Sequence, residues 1–302
     1  MFHVKQKLEE LERCPFCQGK KFEPFLQSQD FLTYLGEFSV VECTKCRLIF
    51  TNPRPCVDSM GQFYPSFKYQ SHKQNRSALF DRLYFFAQSV MLRRKLSVIE
   101  KHIKPGAKLL DIGCGVGQFA QFVASRGYCV SAIEPSFAAR QEAQKKGLKV
   151  FENLSGFISA VQSRPQIITL WHVLEHQHNY FQNLLEYQKL LDSDGLLIIA
   201  VPLFESFDAR FYKSSWAGYD LPRHLFHFNE KTIVKSASKA GFELVESKGL
   251  PFDSFYISLL SEKNRQSKLG FLRASLIGFV SNFMALLGIR PWSSQFFVFK
   301  KK

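Results

Sequence analysis

The chain has 302 residues, 46% of them hydrophobic, and this length and apolar content fit one large domain, or one domain with additions, around a sizeable core. Seven cysteines, four of them in two C-x-x-C pairs, exclude the disulfide scaffold of a small secreted protein. The formal net charge of +14 indicates acidic partners, which could be nucleic acid, an anionic membrane surface or phosphorylated small molecules.

Two cysteine pairs define a predicted zinc-ribbon module over residues 1–57. Cys14-Pro-Phe-Cys17 and Cys43-Thr-Lys-Cys46 have the spacing of two zinc knuckles. Four thiolates complete a closed tetrahedral site, which is typical of structural zinc. A redox dithiol at the first pair is the alternative, but it leaves the second pair unexplained. The N-terminus is charged and lacks the apolar run of a secretory signal, so we expect a cytoplasmic protein.

Residues 58–104 are predicted to form a linker and a capping helix. The stretch 51–77 contains prolines, aromatic residues and basic residues without periodicity. From residue 78 to 103 apolar residues recur at helical spacing, and Pro105-Gly106 then ends the pattern. We expect this helix to pack against a sheet that begins near Lys108.

The stretch LLDIGCGVGQFA, residues 109–120, predicts a buried strand, a glycine turn and the start of a helix. Its glycines, Gly113, Gly115 and Gly117, let the backbone approach a ligand at a helix N-terminus. A dinucleotide site is the alternative, but Gln118 stands where its last glycine is expected. The next strand ends in Glu134, where an acid can accept hydrogen bonds from ribose hydroxyls. Together these features predict a nucleoside site.

The motifs D-I-G-C-G-V-G and A-I-E-P-S resemble those of the class I S-adenosylmethionine (SAM) dependent methyltransferases over residues 104–249. The resemblance implies that Gly113 and Gly115, with Gly117 in the same turn, line the methionine moiety. It implies that Asp111 supports the SAM amino group and that Glu134 binds the ribose. In such proteins the segment before the core commonly folds across the cofactor, so Tyr64 and Tyr69 are candidates for lining the substrate pocket.

Strand and helix patterns alternate through residues 105–302 and predict an α/β fold. We expect a Rossmann-like, seven-stranded methyltransferase sheet with helices on both faces, joined to the small N-terminal zinc ribbon. Asn153 follows the third strand of this sheet and is a candidate contact for the adenine base. Trp171 ends the fourth strand and is also placed among the cofactor-binding residues.

The segment after the fourth strand, His172-Val-Leu-Glu-His176, is expected to face the transferable methyl group, because ligands bind at the carboxyl ends of such strands. It resembles the E-x-x-E-H of the ubiquinone-type O-methyltransferases, which can bind a divalent metal. His172 replaces the first acid, and Gln166 replaces the aspartate usual before this strand. If the segment turns helical at once, residues 172, 175 and 176 share one face and suit a metal or an acid–base pair.

The loop 203–228 is dense in aromatic and basic residues and is predicted to bind the substrate. Asn229 is a good N-cap for the helix that follows, so His224 and His227 lie just before a helix N-terminus. We expect His224 to be the general base, with His227 and then the histidines at 172 and 176 as alternatives. Arg223 is expected to position an anionic substrate group such as a diphosphate.

The segment 251–293 is a predicted helical insertion before a last strand at residues 294–300. Its central part, residues 269–289, carries only the charge of Arg273. The length would permit a membrane span, but scattered Gly, Ser and Asn favour a helical cover or an interfacial segment in contact with a membrane surface.

The predicted function is SAM-dependent methyl transfer to a small-molecule acceptor, such as a sugar nucleotide or a quinone-like compound. Zinc ribbons also precede such cores in sugar C-methyltransferases. Two alternatives remain open at this point: a nucleic-acid-directed methyltransferase, and a SAM-binding regulatory protein without catalysis. The sequence does not specify the acceptor atom, a catalytic metal or the oligomeric state.

Overall fold

The computed structural model describes residues 7–64, 78–161 and 163–302, with the backbone alone for 78–87. Tyr69 falls outside the described residues. The strands are β1 (Leu8–Glu9), β2 (Phe22–Gln29), β3 (Glu37–Cys43), β4 (Ile49–Thr51), β5 (Arg54–Pro55), β6 (Lys108–Ile112), β7 (Cys129–Ile133), β8 (Lys149–Phe151), β9 (Ile167–Trp171), β10 (Leu196–Pro202), β11 (Phe226–His227), β12 (Phe242–Gly249) and β13 (Ser294–Lys301). The helices are α1 (Ala78–Glu100), α2 (Gln118–Ala124), α3 (Phe137–Lys145), α4 (Leu154–Ala160), α5 (Tyr180–Leu190), α6 (Phe207–Tyr212), α7 (Glu230–Lys239), α8 (Pro251–Asn264) and α9 (Gly270–Leu286).

The largest sheet has seven strands in the order β12-β13-β10-β9-β6-β7-β8. β6 pairs in parallel with β7 and with β9, and β7 pairs in parallel with β8. In this register Asp111 lies opposite Ala132 on one side and Thr169 on the other. The predicted Rossmann-like sheet is confirmed, and it brings the carboxyl ends of β6, β7 and β9 to one edge.

Local sequence explains where these elements begin. The central strands β9 and β10 are almost entirely buried, which suits their continuous apolar runs. Ser136 and Asn229 cap α3 and α7, since each side chain accepts a hydrogen bond from a backbone N–H in the first turn. At the start of α2, Gly117 takes this position with φ +76°.

A second sheet has the order β11-β4-β3-β2. β2, β3 and β4 form antiparallel pairs within the N-terminal module, and β4 also pairs with β11, with Phe50 opposite Phe226. The predicted substrate loop therefore completes the sheet of the N-terminal module. A buried cluster of Phe38, Ile49, Trp216 and Tyr219 packs the same two segments together.

The chain divides into two compact units. The described residues of the first unit lie within Met1–Pro65, Leu174–Leu185 and Ala200–Phe297. Those of the second lie within Ser66–Val173, Glu186–Ile199 and Val298–Lys302. These boundaries differ from the predicted ones, because the N-terminal module shares its sheet and its core with residues from 200 onward.

The predicted insertion contains two helices, α8 and α9, in the first unit. Pro251 occupies the first turn of α8, where its missing N–H costs no hydrogen bond. Among the described residues, no helix combines the length and the hydropathy that a membrane span requires.

Candidate cofactor, metal and catalytic sites

The glycine turn after β6 lies in the second unit and has a left-handed backbone at three positions. The φ angle is +70° at Gly113, +56° at Gly115 and +76° at Gly117. A Cβ added to Gly113 would lie 2.5 Å from Val173 Cγ2, and one added to Gly117 would lie 2.5 Å from Leu148 Cδ1. At Gly115 no described atom lies within 4 Å of such a Cβ. The bare backbone there borders open space, so it is accessible to a ligand.

Asp111 is the second-to-last residue of β6, just before this turn, and is 2% exposed. Thr169 Oγ1 donates a 2.7 Å hydrogen bond to Asp111 Oδ1. Burial raises the pKa of Asp111 to about 7, although the Thr169 hydrogen bond and the charge of Lys95 oppose this shift. An ammonium group placed beside this carboxyl would favour its ionised form.

Glu134 follows β7 and is buried beside the same turn. Its Oε2 accepts a 2.8 Å hydrogen bond from the Gly115 N–H, and its Oε1 accepts a 2.9 Å bond from the Ser136 N–H. These two bonds fix the carboxylate against the glycine turn. An ionised carboxylate has about four acceptor sites, so capacity for ribose hydroxyls remains.

Trp171 ends β9, and its ring packs edge-on against Phe119 at a centroid distance of 5.3 Å. Lys95 Nζ lies 4.5 Å from the centroid of the indole ring. Trp171 Nε1 is buried and has no hydrogen-bond partner among the described residues. Because a buried indole N–H normally finds an acceptor, this donor suits a polar ligand group. The Trp171 N–H, the open space at Gly115 and the carboxyls of Asp111 and Glu134 together fit the polar groups of SAM.

Asn153 has a clear structural role at the start of α4. Its Oδ1 accepts a 2.9 Å hydrogen bond from the Gly156 N–H, which makes it the N-cap of that helix. The side chain is exposed. Its contact with adenine remains a prediction.

The four cysteines predicted to bind zinc lie together in the first unit. Their sulfur atoms are all within 4.8 Å of one another, and the Cys14–Cys46 and Cys17–Cys43 sulfur pairs are each 3.5 Å apart. Tetrahedral zinc with bonds of about 2.3 Å holds its sulfur ligands about 3.8 Å apart, so the cluster is close to the required size.

The two knuckles have the same backbone design. The N–H groups of Gln18 and Arg47 bond back to the carbonyls of Cys14 and Cys43, and both residues have a left-handed backbone. A hydrogen bond between two of the thiols lowers the pKa of Cys46 and raises that of Cys14. Unequal proton sharing of this kind is expected of thiols that are crowded together.

Glu175, His176 and His224 form a second group in the first unit, called here the histidine cluster. Their potential ligand atoms all lie within 4.8 Å of one another. His224 Nε2 is 4.0 Å from Glu175 Oε1, and the two imidazole rings are edge-on at 4.6 Å. These three side chains could hold a divalent metal or move a proton.

Backbone carbonyls set the tautomers of both imidazoles. His224 Nδ1 is 2.8 Å from the Gly218 carbonyl, and His176 Nδ1 is 3.0 Å from the Arg223 carbonyl. Because a carbonyl only accepts, each Nδ1 carries the hydrogen and each neutral ring keeps its lone pair on Nε2. Tyr64, which is exposed, also places its hydroxyl 3.0 Å from His176 Nδ1.

Arg223 is a correction to the sequence interpretation. Its guanidinium binds Asp220 with two hydrogen bonds of 2.7 and 2.9 Å, and Nη1 donates to Asp30 at 3.0 Å. The remaining N–H groups donate to the carbonyls of Phe63 and Leu221. A side chain that is 2% exposed, with every N–H directed at protein, holds the loop to the N-terminal module instead of binding a substrate anion.

The other two candidate histidines are placed differently. His227 is buried on β11, with Nε2 3.2 Å from Thr51 Oγ1 and its ring edge-on to Tyr219. Burial lowers the pKa of His227 to about 3. His172 has φ +57°, and the short helix begins only at Leu174, so residues 172, 175 and 176 do not share a helical face as expected.

Comparison with known proteins decides the family. The profile of a family described as a methyltransferase domain matches residues 82–247, more than half of the chain. The chain belongs to the methyltransferase domain family. The expected resemblance to the class I SAM-dependent methyltransferases is thereby confirmed at the level of family and fold.

Curated relatives of this methyltransferase domain protein match it in part. The ubiquinone biosynthesis O-methyltransferase of Actinobacillus pleuropneumoniae is 29% identical over 106 residues, 32% of this chain and 45% of that protein. An uncharacterized methyltransferase of Bacillus pumilus is 28% identical over 136 residues, 42% of this chain and 64% of that protein. The chain thus spans less than two thirds of the length of either relative.

The solved structures to which the chain was matched include coclaurine N-methyltransferase bound to N-methylheliamine and SAH. It is 16% identical, with a TM-score of 0.49, covering 70% of this chain and 72% of that chain. Magnesium protoporphyrin IX methyltransferase from Synechocystis with bound SAM is 13% identical, with a TM-score of 0.48, covering 80% and 94%.

Several site residues were absent from the sequence interpretation. Thr169 belongs to no motif in the sequence. Aligning β6 with β9 places it opposite Asp111. Asp30 and Thr51 lie far along the chain from the residues they contact, Arg223 and His224. No local pattern in the sequence indicates those long-range pairs.

Proposed function

We propose that this protein transfers a methyl group from SAM to a small-molecule acceptor, such as a sugar nucleotide, a quinone-like compound or a related metabolite. The observation that carries the proposal is the left-handed glycine turn with a buried carboxylate on each side, Asp111 and Glu134. When bound, SAM supplies an electrophilic methyl group on its sulfonium. The named relatives and the family match support the same reaction class.

Binding is assigned to residues of the second unit. Gly113 and Gly115 border the methionine moiety, and Asp111 favours an ammonium group at its amino end. Glu134 accepts hydrogen bonds from the ribose, because its carboxylate is already oriented by two backbone N–H groups. Trp171 offers a buried N–H to a polar group of the cofactor.

Proton removal from the acceptor is assigned to His224. Its Nδ1–H is held by the Gly218 carbonyl, so its Nε2 can take up a proton, and Glu175 lies close enough to stabilise the imidazolium that forms. His176 ranks second. Burial, with a smaller contribution from the charge of His224, lowers the pKa of His176 to about 4, which makes it a weak base at neutral pH.

The histidine cluster supports a second role. A divalent metal held by Glu175, His176 and His224 would supply Lewis-acid activation of the acceptor, and the 4.8 Å spread of the ligand atoms favours this alternative. Turnover that is lost on gel filtration with chelator and restored by Mg²⁺ or Mn²⁺ would favour the metal. Turnover unchanged by this treatment would favour the base.

We also infer that Cys14, Cys17, Cys43 and Cys46 hold one structural zinc ion. The closed set of four thiols supports a stabilising role without an open ligand position. Zinc would fix the knuckles from which the β2–β4 sheet extends.

The experiment is a methyl-transfer screen with the full chain, SAM and acceptors from the sugar-nucleotide and quinol classes. S-adenosylhomocysteine and a methylated acceptor should form in equal amounts, and Glu134→Ala should reduce both. SAM binding without transfer to any acceptor of these classes would instead favour the regulatory protein.

A further inference from the structure

Helix α9 presents most of its large apolar side chains to solvent. Its buried residues are Ala274, Ile277, Gly278 and Ser281, three of them small. Five large apolar side chains at alternating spacings of four and three residues form what is called here the apolar stripe: Leu272, Leu276, Phe279, Phe283 and Leu286. Each is at least 50% exposed, and Leu286 reaches 72%. In an ordinary surface helix the large apolar side chains face the protein and the polar side chains face solvent.

Helix α8 repeats this arrangement. Ser254, Ser258 and Ser261 face inward and are fully buried, whereas Tyr256 is 62% exposed. A Cβ on Gly278 would lie 2.7 Å from the Phe255 ring and 3.0 Å from its Cα, so the two helices approach closely. Polar hydrogen bonds join them, since Ser254 Oγ donates to the Gly278 carbonyl.

Small residues at the contact and large apolar residues outside are typical of helices that pack in lipid. Hydrogen bonding explains the inward polar residues, because Ser281 Oγ donates to the buried carboxylate of Asp208 at 2.8 Å. Hydrogen bonding does not account for the exposed apolar side chains on the outward face of α9. A contiguous apolar surface of this kind marks a binding site for an apolar partner.

Charge indicates which partner. Residues 263–297 of the first unit contain no Asp or Glu and five basic residues: Lys263, Arg265, Lys268, Arg273 and Arg290. Glu262, directly before them, is buried and lies 3.3 Å from Arg273 Nε. Lys263, Arg265, Lys268 and Arg273 are exposed around the N-terminal end of the stripe. The surface at the N-terminal end of the stripe is therefore positively charged.

A second copy of the chain fits this surface poorly. A symmetric dimer pairs a surface with itself, and residues 263–297 of a second copy would offer no Asp or Glu to the basic residues at the N-terminal end of the stripe. A lipid surface with anionic headgroups offers apolar depth for the stripe and negative charge for the lysines and arginines. We propose that α8 and α9 dock on an anionic membrane surface, with the apolar stripe inserted at the level of the headgroups and α9 parallel to the surface.

The test is co-sedimentation of the full chain with vesicles of phosphatidylcholine alone or mixed with phosphatidylglycerol. We expect at least about thirtyfold stronger binding to the anionic vesicles. The double variant Leu276→Ser/Phe279→Ser should lose binding by at least tenfold, because both side chains would leave the lipid. Lys263→Gln/Lys268→Gln should weaken binding about thirtyfold to anionic vesicles and leave neutral vesicles unaffected.

The control is Ile158→Ser/Val245→Ser, which removes two exposed apolar residues elsewhere. It should bind vesicles as the unaltered chain does. Circular dichroism and the melting temperature, measured on every variant, report folding. Equal binding to both vesicle types, or equal loss in the control, would overturn the proposal. A dimer on size exclusion that becomes a monomer in Leu276→Ser/Phe279→Ser, without vesicle binding, would show that a second copy covers the stripe instead.

Discussion

Asp111 and Glu134 are two buried acids that the structure holds in different ways. Glu134 accepts two backbone hydrogen bonds, whereas Asp111 accepts one from Thr169 and has a raised pKa. Their positions could be predicted from sequence because Asp111 lies next to the end of β6 and Glu134 directly follows β7. The position of Arg223 was also predictable, but its role was not, since its partner Asp30 is 193 residues away.

Replacing Glu134 should weaken SAM binding. Two hydrogen bonds from ribose hydroxyls to a charged acceptor, at about 1.5–3 kcal/mol each, correspond to a loss of at least tenfold in Glu134→Ala. Calorimetric titration with SAM measures the loss. Glu152→Ala, which removes a largely exposed acid, serves as the control and should bind SAM normally. Unchanged affinity in Glu134→Ala would rule out the ribose assignment.

The raised pKa of Asp111, about 7, gives SAM binding a pH dependence. The SAM ammonium group favours the ionised carboxyl, so the ionisation of Asp111 alone should make affinity about tenfold lower at pH 6 than at pH 8. The stability of the free protein depends on pH in the opposite direction. Because the pKa of Asp111 is raised above its value in the unfolded chain, its contribution to the free energy of unfolding is full near pH 4 and is lost as the pH rises through about 7.

Asp111→Asn separates this effect from the titration of SAM itself. The variant should bind SAM weakly, and its affinity should not share the tenfold change between pH 6 and pH 8. Calorimetry at the two pH values tests both chains. An identical pH profile in the two chains would exclude Asp111 as the group responsible.

Replacing His224 should affect chemistry and leave binding intact. We expect turnover to fall by about a hundredfold in His224→Ala, the scale typical of a lost general base, with SAM affinity within about twofold. His102→Ala, at an exposed histidine of the second unit, is the control. Normal turnover in His224→Ala together with loss in His176→Ala would place the base on the segment after β9.

At the scale of elements, the pairing of β4 with β11 links the cysteine cluster to the histidine cluster. Thr51 ends β4, and its Oγ1 donates a 2.8 Å hydrogen bond to the His224 carbonyl. β4 in turn pairs with β3, which ends at Cys43. The knuckle at Cys43 is therefore connected, through β3 and β4, to the backbone of His224.

Cys43→Ser should lower the zinc content from one equivalent per chain to none and unfold the β2–β4 sheet, since closed zinc sites contribute directly to folding. Turnover should then fall more than tenfold, while SAM affinity stays within about twofold because the SAM residues lie in the second unit. Metal analysis and calorimetry test this. Cys129→Ser, at an exposed cysteine outside the cluster, should retain its zinc, and zinc retained in Cys43→Ser would contradict the assignment.

Elements with a strong local signal could be predicted, and elements held by distant pairing could not. The strand before the glycine turn and the helix capped by Asn229 agree with their predicted positions. β11 has only two residues and pairs with β4, so no periodicity reveals it. The start of the short helix at Leu174 was missed because a left-handed residue, His172, precedes it.

For the whole molecule, the family match and the seven-stranded sheet agree with the sequence interpretation. The division into units does not follow the predicted boundaries, because the N-terminal module completes its sheet with a segment more than 170 residues later. Chain order alone suggested a separate zinc module. Packing instead makes the module part of the unit that carries His224.

The central claim is that the glycine turn, Asp111 and Glu134 bind SAM. Calorimetric titration of the full chain with SAM tests it most directly. We expect one SAM per chain, displaced by S-adenosylhomocysteine and not by NAD, because the two acids and the open space at Gly115 suit the amino acid and ribose of SAM. No heat of binding with SAM, or equal displacement by NAD, would contradict the account.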